Sequence, residues 1–411
     1  MVIFAGPNMA GTEASMSKQM AHTTIQLETG NMNLKMNVLV GALAFGTSGL
    51  ALAQDMVVNI GHVGPTSGAI AHLGKDNENS ARLAIDELNA KGVKIGGKTA
   101  KFELLAEDDA SDPKQGTAVA QKLVDSKVNG VIGHLNSGTT IPASKIYHDA
   151  GIPQISPSAT NPKYTRQGFN TTFRVVADDV QLGGTLGRYA VKELKARSIA
   201  VIDDRTAYGQ GVAEEFSKAV KAGGGTIVDS QFTSDKATDF SAILTQIKAR
   251  KPDVVFFGGV DAIAGPMIRQ MKQLGINAKF MGGDGICSTD LPKLAGGAIV
   301  DDQVYCAEAG GVDKADEAAL DAWKAKYKTK FGIDVQLYAP YVYDALNVMV
   351  AAMVKAGSAD PKAYLPVLAK TEGYKGVTGV ISFDNKGDIK NGALTLHTYR
   401  GGKLVTIGVV H

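Results

Sequence analysis

Cysteine and tryptophan are the scarcest residues in this 411-residue chain, which holds Cys287, Cys306 and one tryptophan. Two cysteines with no C-x-x-C spacing exclude thioredoxin-type chemistry, a thiolate zinc site and a small disulfide scaffold. An excess of charge is missing as well: 43 basic residues stand against 41 acidic ones, for a formal net charge of +2. No electrostatic footprint for nucleic acid results, so no nucleic-acid partner is expected, and a neutral or zwitterionic one is. The chain also lacks G-x-S-x-G, H-E-x-x-H and G-x-x-x-x-G-K-[ST], so no catalytic residue is assigned and neither a cofactor nor a metal is expected. His62, His72, His134 and His148 have no metal-ligand spacing and read as satisfied turn or surface histidines. The acidic run Glu107-Asp108-Asp109 is not followed by a spaced loop of oxygen ligands. It reads as a solvated strand end, with Asp112 as the N-cap of a helix that opens at Pro113.

Long apolar runs are nearly absent. The one candidate lies at 38–45, preceded by Lys35 and followed by glycines and the A-x-A end Ala51-Leu52-Ala53. It is too short and glycine-rich for a membrane span and reads as a secretory signal peptide cut after Ala53. Residues 1–31 are too polar for its basic opening, so Met32 is the expected start and Met1 an over-extended one. No cysteine near the cut offers a lipid anchor, and a freely diffusing protein of a Gram-negative periplasm is expected. Oxidation is permitted there, so Cys287 and Cys306 are expected to be linked; the alternative is two buried free thiols.

What the sequence does contain is rhythm. With 44% hydrophobic and 20% charged residues, its length suits two ordinary globular domains. From Val57 onward, short β-branched runs alternate with amphipathic helices: strands at 58–63 and 102–105, helices at 79–89 and from 113. After Phe173-Arg174-Val175 the pattern restarts, with strands at 198–202, 226–228, 254–257 and 279–281 and helices at 208–222, 240–249 and 263–274. Long helices follow at 315–331, 338–355 and 361–369, and strands at 376–383, 393–400 and 403–409. The fold class is therefore α/β, with two Rossmann-like lobes and a cleft between them.

The centre of the chain is residues 133–160. Two apolar runs, Gly130-Val131-Ile132 and Ile152-Pro153-Gln154-Ile155, each end in a hydroxyl-rich turn, at 136–140 and 156–160. In a parallel sheet such turns lie side by side at the strands' carboxyl ends, where open α/β folds bind ligands. Hydroxyls and free N–H groups at a helix start favour an anion, so a carboxylate is the expected guest.

The segments GPTSG at Gly64, AEDDASDPKQG at Ala106, IGHLNSGTTIPAS at Ile132, ISPSATNP at Ile155, DRTAYGQG at Asp204, GGDG at Gly282 and YAPYVYDA at Tyr338 carry a resemblance. The chain resembles the periplasmic leucine/isoleucine/valine-binding proteins of branched-chain amino-acid ABC transporters, class I periplasmic binding proteins, from about Val57 to the end. The resemblance implies two lobes joined by three crossovers near Ala177, Ala307 and Gly376. Residues 54–177 with 307–376 would form one lobe, and 178–306 with 377–411 the other, after a leader of 1–53. It implies that Ser137 and Thr160 hold the ligand's α-carboxylate and that the Ser158 carbonyl meets its ammonium. Asp284 stands where relatives often carry a longer Glu as ammonium partner. Tyr208 and Tyr338 match aromatic walls, and Leu73 a position where leucine binders often carry a bulkier aromatic. The function implied is a non-catalytic, monomeric periplasmic receptor that closes on a small amino acid and delivers it to an inner-membrane ABC permease. The alternatives are another small carboxylate or amide, such as an aromatic acid or a γ-amino acid, and a sensory ligand-binding domain.

Overall fold

The computed structural model describes residues 56–410 except 315 and 316. The signal peptide, its cut after Ala53 and the start at Met32 lie outside the described residues. Among them, no helix is long and apolar enough to cross a membrane.

The first half begins with β1 (Met56–Gly64), α1 (Ala71–Ala90), β2 (Lys94–Ile95), β3 (Lys98–Asp108), α2 (Pro113–Asp125) and β4 (Gly130–Gly133). It continues with α3 (Ser137–Asp149), β5 (Gln154–Ser156) and β6 (Thr172–Arg174). Their sheet has the order β2-β3-β1-β4-β5-β6 and is parallel apart from the β2–β3 pair. β1 and β4 are buried along much of their length, as strands covered by helices on both faces must be. Asp112 caps α2 as expected, its Oδ1 accepting from the N–H groups of Lys114 and Gln115 at 2.9 Å.

The second sheet is assembled from α4 (Asp179–Lys192), β7 (Ser198–Asp203), α5 (Ala207–Ala222), β8 (Thr226–Phe232), α6 (Ser241–Arg250) and β9 (Val254–Gly258). α7 (Asp261–Gln273), β10 (Lys279–Gly282), the one-turn α8 (Leu291–Leu294) and β11 (Val304–Glu308) extend it. The chain then forms α9 (Glu317–Phe331), α10 (Ala339–Ala356) and α11 (Pro361–Leu368), and α10 packs on α1 and β4 of the first half. A small antiparallel pair, β12 (Tyr374–Gly376) and β13 (Gly379–Ile381), precedes β14 (Leu394–Arg400) and β15 (Lys403–Val410). β14 and β15 rejoin the second sheet antiparallel, giving the order β15-β14-β11-β10-β9-β7-β8. The chain thus crosses from one sheet to the other and back, as the late helices and strands foretell.

Several ends differ from the sequence reading. α1 starts at Ala71 rather than 79, because the polar residues Asp76 and Asn77 are buried within the helix instead of marking a loop. Asp76 Oδ1 accepts from the Tyr327 hydroxyl at 2.8 Å, and its Oδ2 from the Leu337 N–H. β3 runs from Lys98 to Asp108, longer than 102–105, since residues 100–108 pair with β1 and its first two residues with β2.

The disulfide is present: Cys287 and Cys306 are joined, with Cα atoms 5.7 Å apart. Gly282 of β10 pairs with Cys306 of β11, so the bond ties the segment just beyond β10 back to its neighbouring strand.

Candidate functional site

β4 and β5 are neighbours in parallel register, so the turns that follow them lie side by side. Side chains join the two turns across the gap. Ser156 Oγ donates to the His134 carbonyl and Ser158 Oγ to the Leu135 carbonyl, both at 2.9 Å, while Asn161 N–H donates to Ser137 Oγ at 3.2 Å. Ser137 is the first residue of α3, whose N-terminal N–H groups lack partners within the helix. The following turn is held from beneath by Arg174, a fully buried guanidinium. It donates to the carbonyls of Ala159 at 2.6 Å and Asn161 at 3.1 Å, to Thr165 Oγ1 at 2.9 Å and to Asp388 Oδ1 at 2.6 Å.

From the second half, a short 3-10 turn, Asp284–Ile286, follows β10 and presents Asp284. The carboxylate is fully buried, and each oxygen accepts from a tyrosine: Tyr208 donates to Oδ1 at 2.7 Å and Tyr338 to Oδ2 at 2.9 Å. Tyr208 belongs to α5 and Tyr338 stands at the start of α10, so Asp284 joins elements of both halves. The Tyr208 hydroxyl also accepts from Gly285 N–H at 3.0 Å. Burial pushes the Asp284 carboxyl up to about 6, against the lowering pull of the two hydroxyls. The tyrosines, expected as aromatic walls, are thus also hydrogen-bond donors to the acid between them.

Thr160 is completely buried, and its Oγ1 has no hydrogen-bond partner of standard geometry among the described residues. The same holds for both carboxylate oxygens of Asp179, the first residue of α4. Burial holds the Asp179 carboxyl well above the usual range; the nearby Thr160 hydroxyl favours the charged form, and the Asp284 charge opposes it. Gly211 of α5 closes over this spot, where a Cβ would come within 2.6 Å of Asp179 Oδ2 and Asn161 Nδ2. Buried polar atoms without well-aligned partners are costly, so their clustering makes this spot a candidate place for a polar guest.

Sequence reasoning passed over Asp179. The available signal was the pair Asp178-Asp179 at a helix start, where one residue suffices as cap. Asp178 does that work, accepting from Gln181 N–H at 3.1 Å.

The remaining expected residues fall nearby. Ser158 is buried beside the first turn, and Leu73 of α1 lies in the same buried apolar cluster as Ile70, Leu135, Leu337 and Tyr338. In front of Tyr208 opens a cavity of about 620 Å³. Of the expected residues only Tyr208 lines it; Ser137 is flanked by two that do, Asn136 and Gly138.

Two readings need correction. Asp109 is not a solvated strand end: it is fully buried, its Oδ2 is 2.9 Å from His134 Nδ1, and His134 Nε2 is 3.0 Å from the Tyr147 hydroxyl. His62 is not at the surface: it is buried, neither ring nitrogen has a hydrogen-bond partner of standard geometry among the described residues, and burial lowers its pKa to about 4. Burial penalises the charged imidazolium, so a neutral His62 is the form that folds.

Comparison with known proteins agrees with this architecture. A family model described as periplasmic binding protein matches residues 57–403. The chain is 38% identical over 366 residues to the Leu/Ile/Val-binding protein homolog 1 of Brucella abortus, covering 89% of this chain and 95% of that one. It is 33% identical to the leucine-, isoleucine-, valine-, threonine-, and alanine-binding protein of Pseudomonas aeruginosa, covering 89% and 96%. Among solved structures, the branched-chain amino acid transporter substrate binding protein LivJ from Streptococcus pneumoniae, in complex with isoleucine, superposes with a TM-score of 0.78 at 29% identity, covering 86% and 99%. A benzoate-bound solute binding protein from R. palustris shares the fold, with a TM-score of 0.75 at 22% identity, covering 86% and 96%. The chain belongs to the periplasmic binding protein family, in the type I group that includes the leucine/isoleucine/valine-binding proteins of ABC transporters.

Proposed function

We propose that this protein is the receptor of an ABC importer for a small α-amino acid, which it encloses between its two halves and delivers to an inner-membrane permease. In this reading it is a periplasmic monomer, freed by cleavage after Ala53, and it performs no catalysis. Its lobes are 54–177 with 307–376 and 178–306 with 377–411. Ser137, Thr160 and the start of α3 hold the α-carboxylate, whose charge N–H groups and hydroxyls can satisfy without a basic side chain. Asp284 is the counter-charge for the ammonium, assisted by the Ser158 carbonyl; Tyr208, Tyr338 and Leu73 shape the surroundings. Relatives that bind leucine, isoleucine and valine support the ligand class.

The observation that carries the reading is Asp284 itself. A carboxylate buried to this degree, with a second buried acid, Asp179, close by, is most economically satisfied by a cation brought in with the ligand. The same pair of acids disfavours a simple aromatic carboxylate, which would bring a second negative charge and no donor. Calorimetric titration with leucine, isoleucine, valine, alanine and the α-keto analogue of leucine tests this. At least one amino acid should bind, and loss of the amine should weaken binding by ten-fold or more; a keto acid bound as tightly as its parent would refute the assignment.

A further inference from the structure

Tyr338 reaches across from the first half to Asp284 of the second, and the start of α10 that carries it does not fix itself. Tyr338 occupies the N-cap position, but its side chain makes no capping bond there, and Pro340 in the first turn has no N–H to give. The N–H groups at such a helix start lack partners within the helix and need an acceptor from elsewhere. That acceptor comes from α1, against which α10 packs.

Asp76 Oδ2 accepts from the Leu337 N–H at 3.3 Å, and the Ser80 hydroxyl donates to the Ala339 carbonyl. Leu337 and Ala339 flank Tyr338, while Asp76 and Ser80 stand four positions apart on α1 and so share one of its faces. One helix face thus grips the backbone on both sides of Tyr338. Both gripping residues are buried. Asp76 is fixed in turn by Tyr327 of α9, whose hydroxyl donates to its Oδ1 at 2.8 Å. Burial pushes the Asp76 carboxyl up to about 6, against the lowering pull of that hydroxyl and of the backbone at Gln336, Leu337 and Ala339. The positive end of the α10 dipole adds to the attraction.

We propose that Asp76 and Ser80 are positioning residues for ligand enclosure: they aim the Tyr338 hydroxyl at Asp284, so that α1 sets the geometry of this bond between the two halves. The proposal rests on the amino-acid reading above, in which Asp284 meets the ammonium, and adds the residues that hold its partner in place. The Tyr338 hydroxyl, 2.9 Å from Asp284 Oδ2, lies at the far end of a long, stiff ring. A small rotation of the α10 start therefore carries it out of hydrogen-bond range. Asp76 and Ser80 act through Tyr338 and are assigned no contact with the ligand.

The test is a double-mutant cycle, read by calorimetric titration of the exported protein with whichever of leucine, isoleucine, valine and alanine the parent binds most tightly. Asp76→Leu keeps the branched outline and removes both acceptor oxygens. It should weaken binding about ten-fold in the parent and less than about two-fold in Tyr338→Phe, where no hydroxyl is left to aim. Asp76→Asn keeps one acceptor oxygen for the Leu337 N–H and should recover most of the loss, and Ser80→Ala should weaken binding with the same dependence on Tyr338. Thermal unfolding shows that each variant is folded; Ser80→Ala carries the cycle if Asp76→Leu does not fold. Equal weakening with and without the Tyr338 hydroxyl would mean that these residues serve only the packing of α1, and an unchanged affinity that α10 keeps its aim without them. Either result overturns the assignment while leaving the receptor reading intact. Binding of none of the four amino acids to the parent would overturn the receptor reading and this assignment with it.

Discussion

At the scale of single residues, Asp284 is one of several buried acids that shape how the protein responds to pH. Its carboxyl titrates near 6 in the folded chain, above the ordinary carboxylate value of 3.8, because burial penalises the charge. The folded state therefore binds the extra proton between those two values, so this group favours the folded ligand-free protein most below 3.8 and loses that contribution as the pH rises through 6. An ammonium ligand acts in the opposite direction, since it favours the ionised acid. Affinity for an α-amino acid is therefore expected to fall as the pH drops from 7 to 5, with proton release on binding that appears as a buffer-dependent heat. Asp204, Asp76 and Asp344 also titrate near 6, so the control is Asp284→Asn, which should flatten the pH dependence and weaken amino acids far more than their keto analogues. A pH dependence as steep in the variant as in the parent would assign it to another acid. Thr160→Ala should weaken every ligand that uses its hydroxyl, by about 1.5–3 kcal/mol for a charged hydrogen bond, in the same titration. Ser137, Thr160 and Asp284 stand out in the sequence as candidates because short motifs carry them. Asp179 does not, because what sets it apart is complete burial, which arises only on folding.

At the scale of elements, the site depends on two fastenings. The 3-10 turn that bears Asp284 is tied by the disulfide to β11, and the Tyr399 hydroxyl lies 2.9 Å from the carbonyls of both Ile286 and Ser288. Replacing both cysteines by serine should lower stability by about 3 kcal/mol in the chain-entropy picture for so short a loop, measured by denaturant unfolding. Ligand affinity should fall too, because the turn that aims Asp284 loses its anchor. The other fastening is Arg174, whose removal would leave the Ala159 carbonyl unmet and take the buried cation from Asp388, which would keep only Thr165 and the half-exposed Arg166. Arg174→Met is expected to cost about 3–5 kcal/mol, more than the disulfide, in the same unfolding experiment. The helices and strands at this scale were mostly readable from hydrophobic period, because sheets covered on both faces demand apolar runs. α1 was misread at its start, where Asp76 is buried by contacts to residues more than 200 positions away that no local window contains.

At the scale of the whole molecule, repetition of the βα rhythm revealed two sheets, but not the bonds between them, which join residues far apart in sequence. Asn161 Nδ2 donates to the Ala207 carbonyl at 2.6 Å, Tyr338 to Asp284, and His72 Nε2 lies 2.8 Å from Asp261 Oδ2. Asp261 is fully buried and also accepts from the Ser288 hydroxyl. Burial alone would lower the His72 pKa, but the hydrogen bond and charge of Asp261 outweigh it and raise the value, which strengthens this clasp as the imidazole protonates. If enclosure is a hinge motion, such clasps exist only in the closed form and act on the rate at which ligand leaves. Asp261→Asn keeps the volume and removes the charge, so dissociation should quicken by roughly ten-fold while association changes little, as stopped-flow fluorescence would show. Small-angle scattering supplies the companion measurement: ligand should compact the parent protein, and Asp261→Asn should need more ligand to reach the same compact state. An equal slowing of association with no change in dissociation would mean that the clasp guides entry instead of holding the halves shut, and a scattering curve indifferent to saturating ligand would remove the hinge from the mechanism.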